Sequence, residues 1–208
     1  LYSKFNNMIL VELQYFPSIN YFKSINKNDI LINLDSLYTR KSYRNRTIIN
    51  GNNGSFNLIV PTIKNKISKK YVDIKIDYSQ NWINQHLQSM QSSYGKTPYF
   101  LFYKDLITQV LKLRHIFLFD LNYDLLTLFF KLLNFENNFR KEKELILNGF
   151  KFDDLTHLSR INNDNEIILT SNKIYYNNNF GKNFDTNVSI LDLLFMKGPE
   201  TRYFLNSI

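Results

Sequence analysis

The chain has 208 residues, enough for one domain with a hydrophobic core, and its 44% hydrophobic and 21% charged residues are typical of a folded globular protein. It contains no cysteine, which excludes disulfides, thiolate metal sites and cysteine nucleophiles. The net charge of +8 would suit an anionic partner, but 29 asparagines and no alanine also indicate codon bias in an AT-rich genome, which enriches lysine without a functional reason.

The N-terminal segment predicts a βαβ unit. Met8–Leu13 is a short apolar run that suits a buried strand, and Ile30–Leu34 is a second one. Between them, Ser18 is placed to cap a helix over Ile19–Asn26, whose apolar residues recur at helical spacing. A ligand of such a unit would bind beyond the strand ends, near Gln14 and the helix N-terminus, where the helix dipole favours an anion. No glycine-rich phosphate loop follows the first strand, so the dinucleotide and P-loop fingerprints do not apply.

A β-hairpin is predicted in the next segment. The runs Tyr43–Asn50 and Ser55–Val60 are rich in β-formers, and Gly51-Asn52-Asn53-Gly54 separates them. Glycine and asparagine tolerate the positive φ angles that tight loops need, so this spacing predicts antiparallel strands joined by a short turn.

Arginines and aromatic residues alternate on the entry side of this hairpin. If residues 42–47 are extended, Arg44 and Arg46 share one face, and Tyr43 and Asn45 share the other. Two guanidiniums at this spacing could form a fork for a phosphate or a carboxylate. The other interpretation, which the stretch alone supports equally, is a solvated edge strand that its charges keep soluble.

Helices dominate the predictions for the rest of the chain. After a basic loop at Lys64–Lys70, Val72–Ile76 alternates as a strand does, and Asn81 is placed to cap a helix over Trp82–Tyr94 that Gly95 ends. The remaining predicted elements are helices at Tyr99–Lys112 and Tyr123–Asn134, separated by the apolar Ile116–Leu121, short strands at Ile167–Thr170 and Lys173–Tyr176, a helix at Ser189–Phe195, and a last helix over Thr201–Leu205 that Pro199 starts. The fold class predicted is α/β, with an N-terminal βαβ unit, a mixed sheet, a β-hairpin and a helical C-terminal half, in one domain over residues 1–208.

The three histidines, His86, His115 and His157, lack metal-ligand spacing, and the sequence indicates no metal site and no cofactor. His86 shares a helix stripe with Trp82 and is open to two interpretations, a buried structural histidine or a catalytic one. The longest apolar stretch, Leu125–Phe130, is too short for a membrane span. Without a signal-peptide pattern, the protein is expected to be cytoplasmic.

Four collinear segments carry a family resemblance. They are Gln14–Phe22 after the first strand, Lys41–Arg46 before the hairpin and Pro61, Asn81–Tyr94 followed by Pro98-Tyr99-Phe100, and Val188–Leu194 followed by Gly198-Pro199-Glu200. Together they resemble the WbqC-like protein family of bacteria, whereas residues 140–185 are less similar and look shortened. The family is associated with surface-polysaccharide (O-antigen) gene clusters. The resemblance therefore implies a transferase-type enzyme that acts on a nucleotide-activated sugar or another anionic substrate.

In this hypothesis Gln14 and Asn20 orient the substrate, and Arg44 and Arg46 hold its phosphates or carboxylate. Protons would be handled by Lys41 or His86, and Asp35 would assist a metal ion carried by a nucleotide. The further candidates for substrate binding are Tyr15, Tyr21, Tyr43, Asn45, Trp82 and Tyr94.

The second hypothesis is a non-catalytic binding module for RNA or a protein partner that uses the same basic face. A compact pocket that joins the N-terminal loop to the arginine fork would favour the enzyme. A flat basic face with exposed aromatic rings would favour RNA. The sequence indicates neither the oligomeric state nor the reaction.

Overall fold

The computed structural model describes residues 8–26, 28–64, 69–135, 139–141, 152–160 and 188–206. The strands are β1 (Met8–Val11), β2 (Asp29–Ile32), β3 (Arg46–Gly51), β4 (Gly54–Ile59), β5 (Phe139–Lys141) and β6 (Asp153–Asp154), and the α-helices are α1 (Ile19–Ile25), α2 (Trp82–Tyr94), α3 (Phe100–Lys112), α4 (Leu118–Leu133), α5 (Ile190–Lys197) and α6 (Thr201–Asn206). The strands predicted at Ile167–Thr170 and Lys173–Tyr176 and the centre of the basic loop lie outside the described residues.

The predicted βαβ unit is confirmed, and it forms the centre of a parallel sheet. The strand order is β5-β2-β1-β6, with Val11 opposite Ile32 in the central pair. Helix α1 begins where predicted because the Ser18 hydroxyl accepts a hydrogen bond from the Tyr21 amide at 3.2 Å. Ile19, Phe22 and Ile25 on this helix are fully buried. Strands β5 and β6 also belong to this sheet, although the sequence predicted no strand at either position.

The predicted hairpin is also confirmed. Strands β3 and β4 pair in antiparallel order with Gly51 opposite Gly54, so Asn52-Asn53 forms a two-residue loop. Gly54 has a φ of +117°, a conformation that a residue with a Cβ rarely adopts. Parallel and antiparallel pairing therefore both occur in the described residues, and they lie in two separate sheets.

The strand predicted at Val72–Ile76 is wrong. Tyr71–Asp73 is a 3₁₀ helix, and the following residues make single bridges, Ile76 with Thr62 and Lys75 with Phe117. The alternation that suggested a strand reflects real burial, because the side chains of Ile74 and Ile76 are only 4% exposed. The alternation therefore indicates an extended segment that packs against the core but does not pair with a strand along its length.

Helices α2, α3 and α4 follow the predicted order with two corrections. The Asn81 side chain makes no capping hydrogen bond to α2, although the helix begins at Trp82 as expected. Helix α4 begins at Leu118 and not near Tyr123, because Leu118 and Leu121 continue the buried face of the helix towards its N-terminus. Its C-terminus is closed by Asn134 in the left-handed conformation, with a φ of +53°.

The C-terminal segment packs against the loop that follows β1. The Ile19 amide donates to the Val188 carbonyl and the Ile190 amide to the Pro17 carbonyl, at 2.9 and 2.8 Å. Ser189 caps α5, and Gly198–Glu200 separates α5 from α6 as the Gly-Pro-Glu sequence predicted. The α/β fold class is confirmed. Within the described ranges, no helix combines the length and the apolarity needed to cross a membrane.

Candidate functional site

The carboxyl ends of the parallel strands define the candidate site. Strands β1, β2 and β6 run in the same direction, so the segments after Val11, Ile32 and Asp154 leave the sheet at one edge. Two backbone hydrogen bonds of 2.9 Å join these segments, from the Tyr15 amide to the Tyr43 carbonyl and from the Tyr43 amide to the Ser159 carbonyl. In open α/β sheets this edge is where ligands bind.

The loop after β1 has an unusual backbone conformation at Phe16. Its φ is +43°, although phenylalanine has a Cβ that disfavours the left-handed region. Two hydroxyls hold this conformation, since both Thr47 Oγ1 and Ser189 Oγ donate to the Phe16 carbonyl, at 2.8 and 3.1 Å. Strained residues of this kind are frequent at functional sites because the surrounding structure must enforce them.

A buried ion pair lies directly beneath this edge. Glu12 and Arg44 are each 4% exposed, and Arg44 donates to Glu12 Oε2 from Nε at 2.9 Å and also from Nη2. The remaining guanidinium nitrogen, Nη1, donates to the Leu37 carbonyl at 2.7 Å. The Glu12 oxygen also accepts a hydrogen bond from Ser159, so the carboxylate ties β1 to the segments after β2 and β6.

Helix α4 and the Tyr71 ring complete the surroundings of Arg44. The Asn122 amide donates to the Arg44 carbonyl and to the Tyr71 hydroxyl, both at 2.6 Å. The guanidinium lies 5.3 Å from the centre of the Tyr71 ring, within the range of a cation–π contact. Arg44 is therefore fixed by charge, hydrogen bonds and ring stacking, and its guanidinium is turned inward.

Several buried polar atoms near this ion pair have no hydrogen-bond partner among the described residues. They are Gln14 Oε1, Tyr21 Oη and Asn122 Oδ1. Burial, with a smaller contribution from the nearby Glu12 carboxylate, raises the pKa of the Tyr21 hydroxyl, so Tyr21 is a neutral donor. The edge of the sheet thus offers more hydrogen-bonding capacity than the described side chains use.

Three arginines at the same end of the sheet act electrostatically on one tyrosine. Burial is the largest effect on Tyr38 and raises its pKa, whereas the positive charges of Arg40, Arg46 and Arg44 all act to lower it. Arg46 Nη2 donates to the Arg40 carbonyl at 2.9 Å, and its buried Nε has no hydrogen-bond partner among the described residues. Below, the arginine cluster means Arg40, Arg44 and Arg46 around Tyr38.

The predicted geometry of the arginine fork is wrong, although its residues do come near each other. Strand β3 begins at Arg46, and Tyr43 and Arg44 lie in a turn, so residues 42–47 are not one extended segment. Arg44 consequently points to Glu12 and is buried, while Arg46 is half-buried. The two guanidiniums therefore have different environments, which an alternating strand would not give.

Most of the other predicted binding residues belong to the interior. Six of them are buried, each with at most 4% of its surface exposed: Gln14, Tyr15, Tyr21, Asn45, Trp82 and Tyr94. Gln14 Nε2 donates to the Leu158 carbonyl at 2.8 Å, and Asn45 Nδ2 donates to the Val60 carbonyl at 3.1 Å. Asn20 and Tyr43 are half-buried. A role in substrate binding stays a prediction for all of these residues.

His86 is 5% exposed and forms part of an aromatic cluster. Its Nδ1 is 2.8 Å from the Tyr15 hydroxyl, and its ring centre is 5.1 Å from that of Trp82. Burial lowers the pKa of His86 to about 4, so the imidazole is neutral near pH 7. The partners of Arg44 described above are different residues, and a shared cleft for His86 and Arg44 stays a prediction.

The two remaining catalytic candidates lie on the surface near the cluster. Asp35 and Lys41 are exposed, and Asp35 Oδ1 pairs with Lys70 Nζ at 2.6 Å. Because both members of this pair are more than half exposed, it contributes little to stability. The described residues include no group of three or more His, Asp or Glu side chains that could hold a metal ion.

Sequence reasoning missed Glu12, Asn122 and Ser159. Glu12 does leave a signal, because it is a charged residue inside the apolar run Met8–Leu13, whereas Asn122 lies between Asp120 and Asp124 in a stretch of mixed polarity. A carboxylate in a buried strand must be paired, and Glu12 therefore predicts a buried cation as its partner. Ser159 leaves no such signal, since nothing in the sequence places it beside β1.

The chain belongs to the WbqC-like protein family, whose family model matches residues 14–172. This range contains the loop after β1, the arginine cluster, the hairpin and helix α2. No curated protein and no solved structure matches the chain.

Proposed function

We propose that this WbqC-like protein is a transferase-type enzyme that binds a nucleotide-activated sugar, or a comparable phosphorylated substrate, at the arginine cluster. The observation that carries the proposal is that two guanidiniums reach the segment around Tyr38 beyond the carboxyl ends of the parallel strands, since Arg44 donates to the Leu37 carbonyl and Arg46 to the Arg40 carbonyl. The association of the family with surface-polysaccharide (O-antigen) gene clusters suggests the pathway class and a cytoplasmic location.

The cluster carries an excess of positive charge. Glu12 neutralises Arg44, and this leaves Arg40 and Arg46 without a described carboxylate partner. Arg44 in this proposal is a positioning residue, which holds the segment from Tyr38 to Arg46 against β1. Arg46 and Arg40 are the residues that contact the anion, because both are less buried than Arg44.

Proton transfer is assigned to Lys41 in preference to His86. Lys41 is exposed and follows Arg40 directly, and in this proposal its ammonium group reaches a ligand at the cluster. His86 is neutral and enclosed by Tyr15 and Trp82, so in this proposal it supports the fold of the loop after β1. Gln14 and Asn20 would orient the substrate, and Asp35 would assist a metal ion that arrives with the nucleotide.

The test is a binding screen with a panel of nucleotide-sugars, read by thermal shift and calorimetry. A charge-assisted hydrogen bond contributes about 1.5–3 kcal/mol, so Arg46→Ala and Arg40→Ala should each weaken binding roughly ten- to a hundredfold. Arg46→Lys should restore part of the affinity, because the charge returns without the planar fork. The charge control is Lys112→Ala, an exposed lysine at the end of α3. An equal loss in this control would mean that net charge alone drives binding, and the proposal would fail.

The second candidate is a binding module for RNA or a protein partner. The observation in its favour is that the arginine cluster lies beside exposed apolar surface, since Leu37 is 64% exposed. Single-stranded RNA should then bind with a steep dependence on salt, and nucleotide-sugars should not compete with it. Competition by micromolar nucleotide-sugar would instead favour the enzyme.

A further inference from the structure

A cleft lies between the tip of the hairpin and the C-terminal half of α2. Its volume is about 380 Å³, within the range of small-molecule sites. The helix contributes Ser89, Ser92 and Ser93, which share one face at helical spacing, and the hairpin loop contributes Asn52 and Asn53. None of the described residues that line the cleft is charged, so it differs in chemistry from the arginine cluster.

One aromatic ring lines the otherwise polar cleft. Phe56 on β4 is 39% exposed, and its ring lies across Gly51 on the facing strand. A Cβ atom at Gly51 would be 2.7 Å from Phe56 Cε1, closer than such contacts occur, so glycine is what allows the ring to lie there.

A chain of hydrogen bonds anchors this side of the cleft to the core. The Ser55 hydroxyl donates to Asn50 Oδ1 at 2.8 Å, and Asn50 Nδ2 donates to Asp192 Oδ1 at 3.5 Å. Asn50 is 1% exposed and Asp192 is fully buried. The carboxylate fixes which way the Asn50 amide faces, and the amide in turn fixes the Ser55 hydroxyl as a donor to it. The wall of the cleft is therefore held in position from inside the protein.

We propose that this cleft binds a neutral, polyhydroxylated ligand, namely a glycosyl unit. Serine hydroxyls and asparagine amides both donate and accept hydrogen bonds, and the hydroxyls of a sugar require both. The apolar C–H face of a pyranose ring would pack on the Phe56 ring, as aromatic side chains provide an apolar face with a defined geometry. An anionic ligand would find no described positive charge here, and an apolar ligand would leave the serines and asparagines unpaired.

This site is separate from the arginine cluster and does not depend on the function proposed above. Gly51 and Arg46 are the two ends of β3. Five residues of extended strand span about 17 Å, so a single monosaccharide cannot contact both sites.

The experiment uses the full chain and the methyl glycosides of glucose, galactose and N-acetylglucosamine, with amide chemical shifts as the readout. At least one glycoside should shift the amides of residues 51–56 and 89–93, and salt should not change its affinity because no charge is involved. Phe56→Ala should weaken binding about five- to tenfold. Ser92→Leu, at an exposed helix position, should also weaken it by filling the cleft from the other side.

Two controls separate the possible results. Phe102→Ala removes a ring on α3 that is 73% exposed and does not line the cleft, and it should leave glycoside binding unchanged. Arg46→Ala should leave it unchanged as well, even if it abolishes binding of an anionic substrate. The proposal is overturned if no glycoside shifts these amides, if the shifts centre on Tyr38, or if Phe56→Ala and Ser92→Leu bind as tightly as the wild type.

Discussion

Replacing Glu12 by glutamine should destabilise the protein by more than any surface charge substitution. The side chain keeps its shape but loses its charge, and Arg44, 4% exposed, is left buried without its counter-ion. Removing one partner of a buried ion pair costs about 3–5 kcal/mol. A domain is stable by only about 5–15 kcal/mol, so the variant should lose a large part of its stability.

Denaturant unfolding measures this loss directly. Trp82 is the single tryptophan of the chain and is 1% exposed, so its fluorescence reports unfolding of the core. Asp35→Asn is the matched control, because it neutralises a carboxylate whose ion pair with Lys70 lies on the surface. A double variant with leucine at positions 12 and 44 should be more stable than Glu12→Gln, since it removes both charges together.

The reasoning would be refuted if Glu12→Gln and Asp35→Asn lost the same stability. That result would mean that the Arg44 charge is solvated or paired elsewhere once Glu12 is neutral. The segments at the carboxyl ends of the parallel strands would then not depend on this ion pair for their stability.

Three further predictions concern the core and the hairpin. Burial raises the pKa of Asp192 to about 6, so between about pH 4 and 6 the folded protein binds a proton that the unfolded chain does not bind. The wild type therefore loses stability as the pH rises through this range, and Asp192→Asn does not. Measured by urea unfolding, the stability of Asp192→Asn relative to the wild type should rise by roughly 2–3 kcal/mol from pH 4 to 7. His86 has the opposite sign, because its folded pKa of about 4 lies below that of the unfolded chain; wild-type stability is lost through His86 as the pH falls from about 6.5 to 4, and His86→Asn should remove this loss in the same titration. Gly54→Ala should cost about 1–2 kcal/mol because its φ is +117°, whereas Asn52→Ala in the adjacent loop should cost less, and equal losses in thermal unfolding would contradict the backbone argument.

Local sequence signals predicted the elements that local chemistry determines. Ser18 before an apolar helical pattern and the Gly-Asn-Asn-Gly turn between two β-rich runs each led to an element that the structure confirms. Both signals act within a few residues of the feature they determine, so tertiary contacts did not override them.

The environment of the arginines could not be predicted in this way. Whether Arg44 points inward depends on Glu12, Asn122 and Ser159, which are distant in sequence and meet only when the strands, α4 and the segment after β6 assemble. An extended segment over residues 42–47 would place Arg44 and Arg46 on the same face. Instead, Arg44 points inward because it pairs with the buried carboxylate of Glu12, 32 residues away in the sequence. A charged residue inside an apolar strand implies a buried partner of opposite charge. That partner should be identified before charged residues nearby are assigned to ligand binding.

A crystal structure of the protein with a bound nucleotide-sugar tests the central claim most directly. The account predicts that a phosphate oxygen lies within hydrogen-bonding distance of the Arg46 or Arg40 guanidinium, beside Tyr38 at the carboxyl edge of the parallel sheet, while Arg44 remains paired with Glu12. A nucleotide-sugar bound at another surface, with its phosphates away from Arg40 and Arg46, would contradict it.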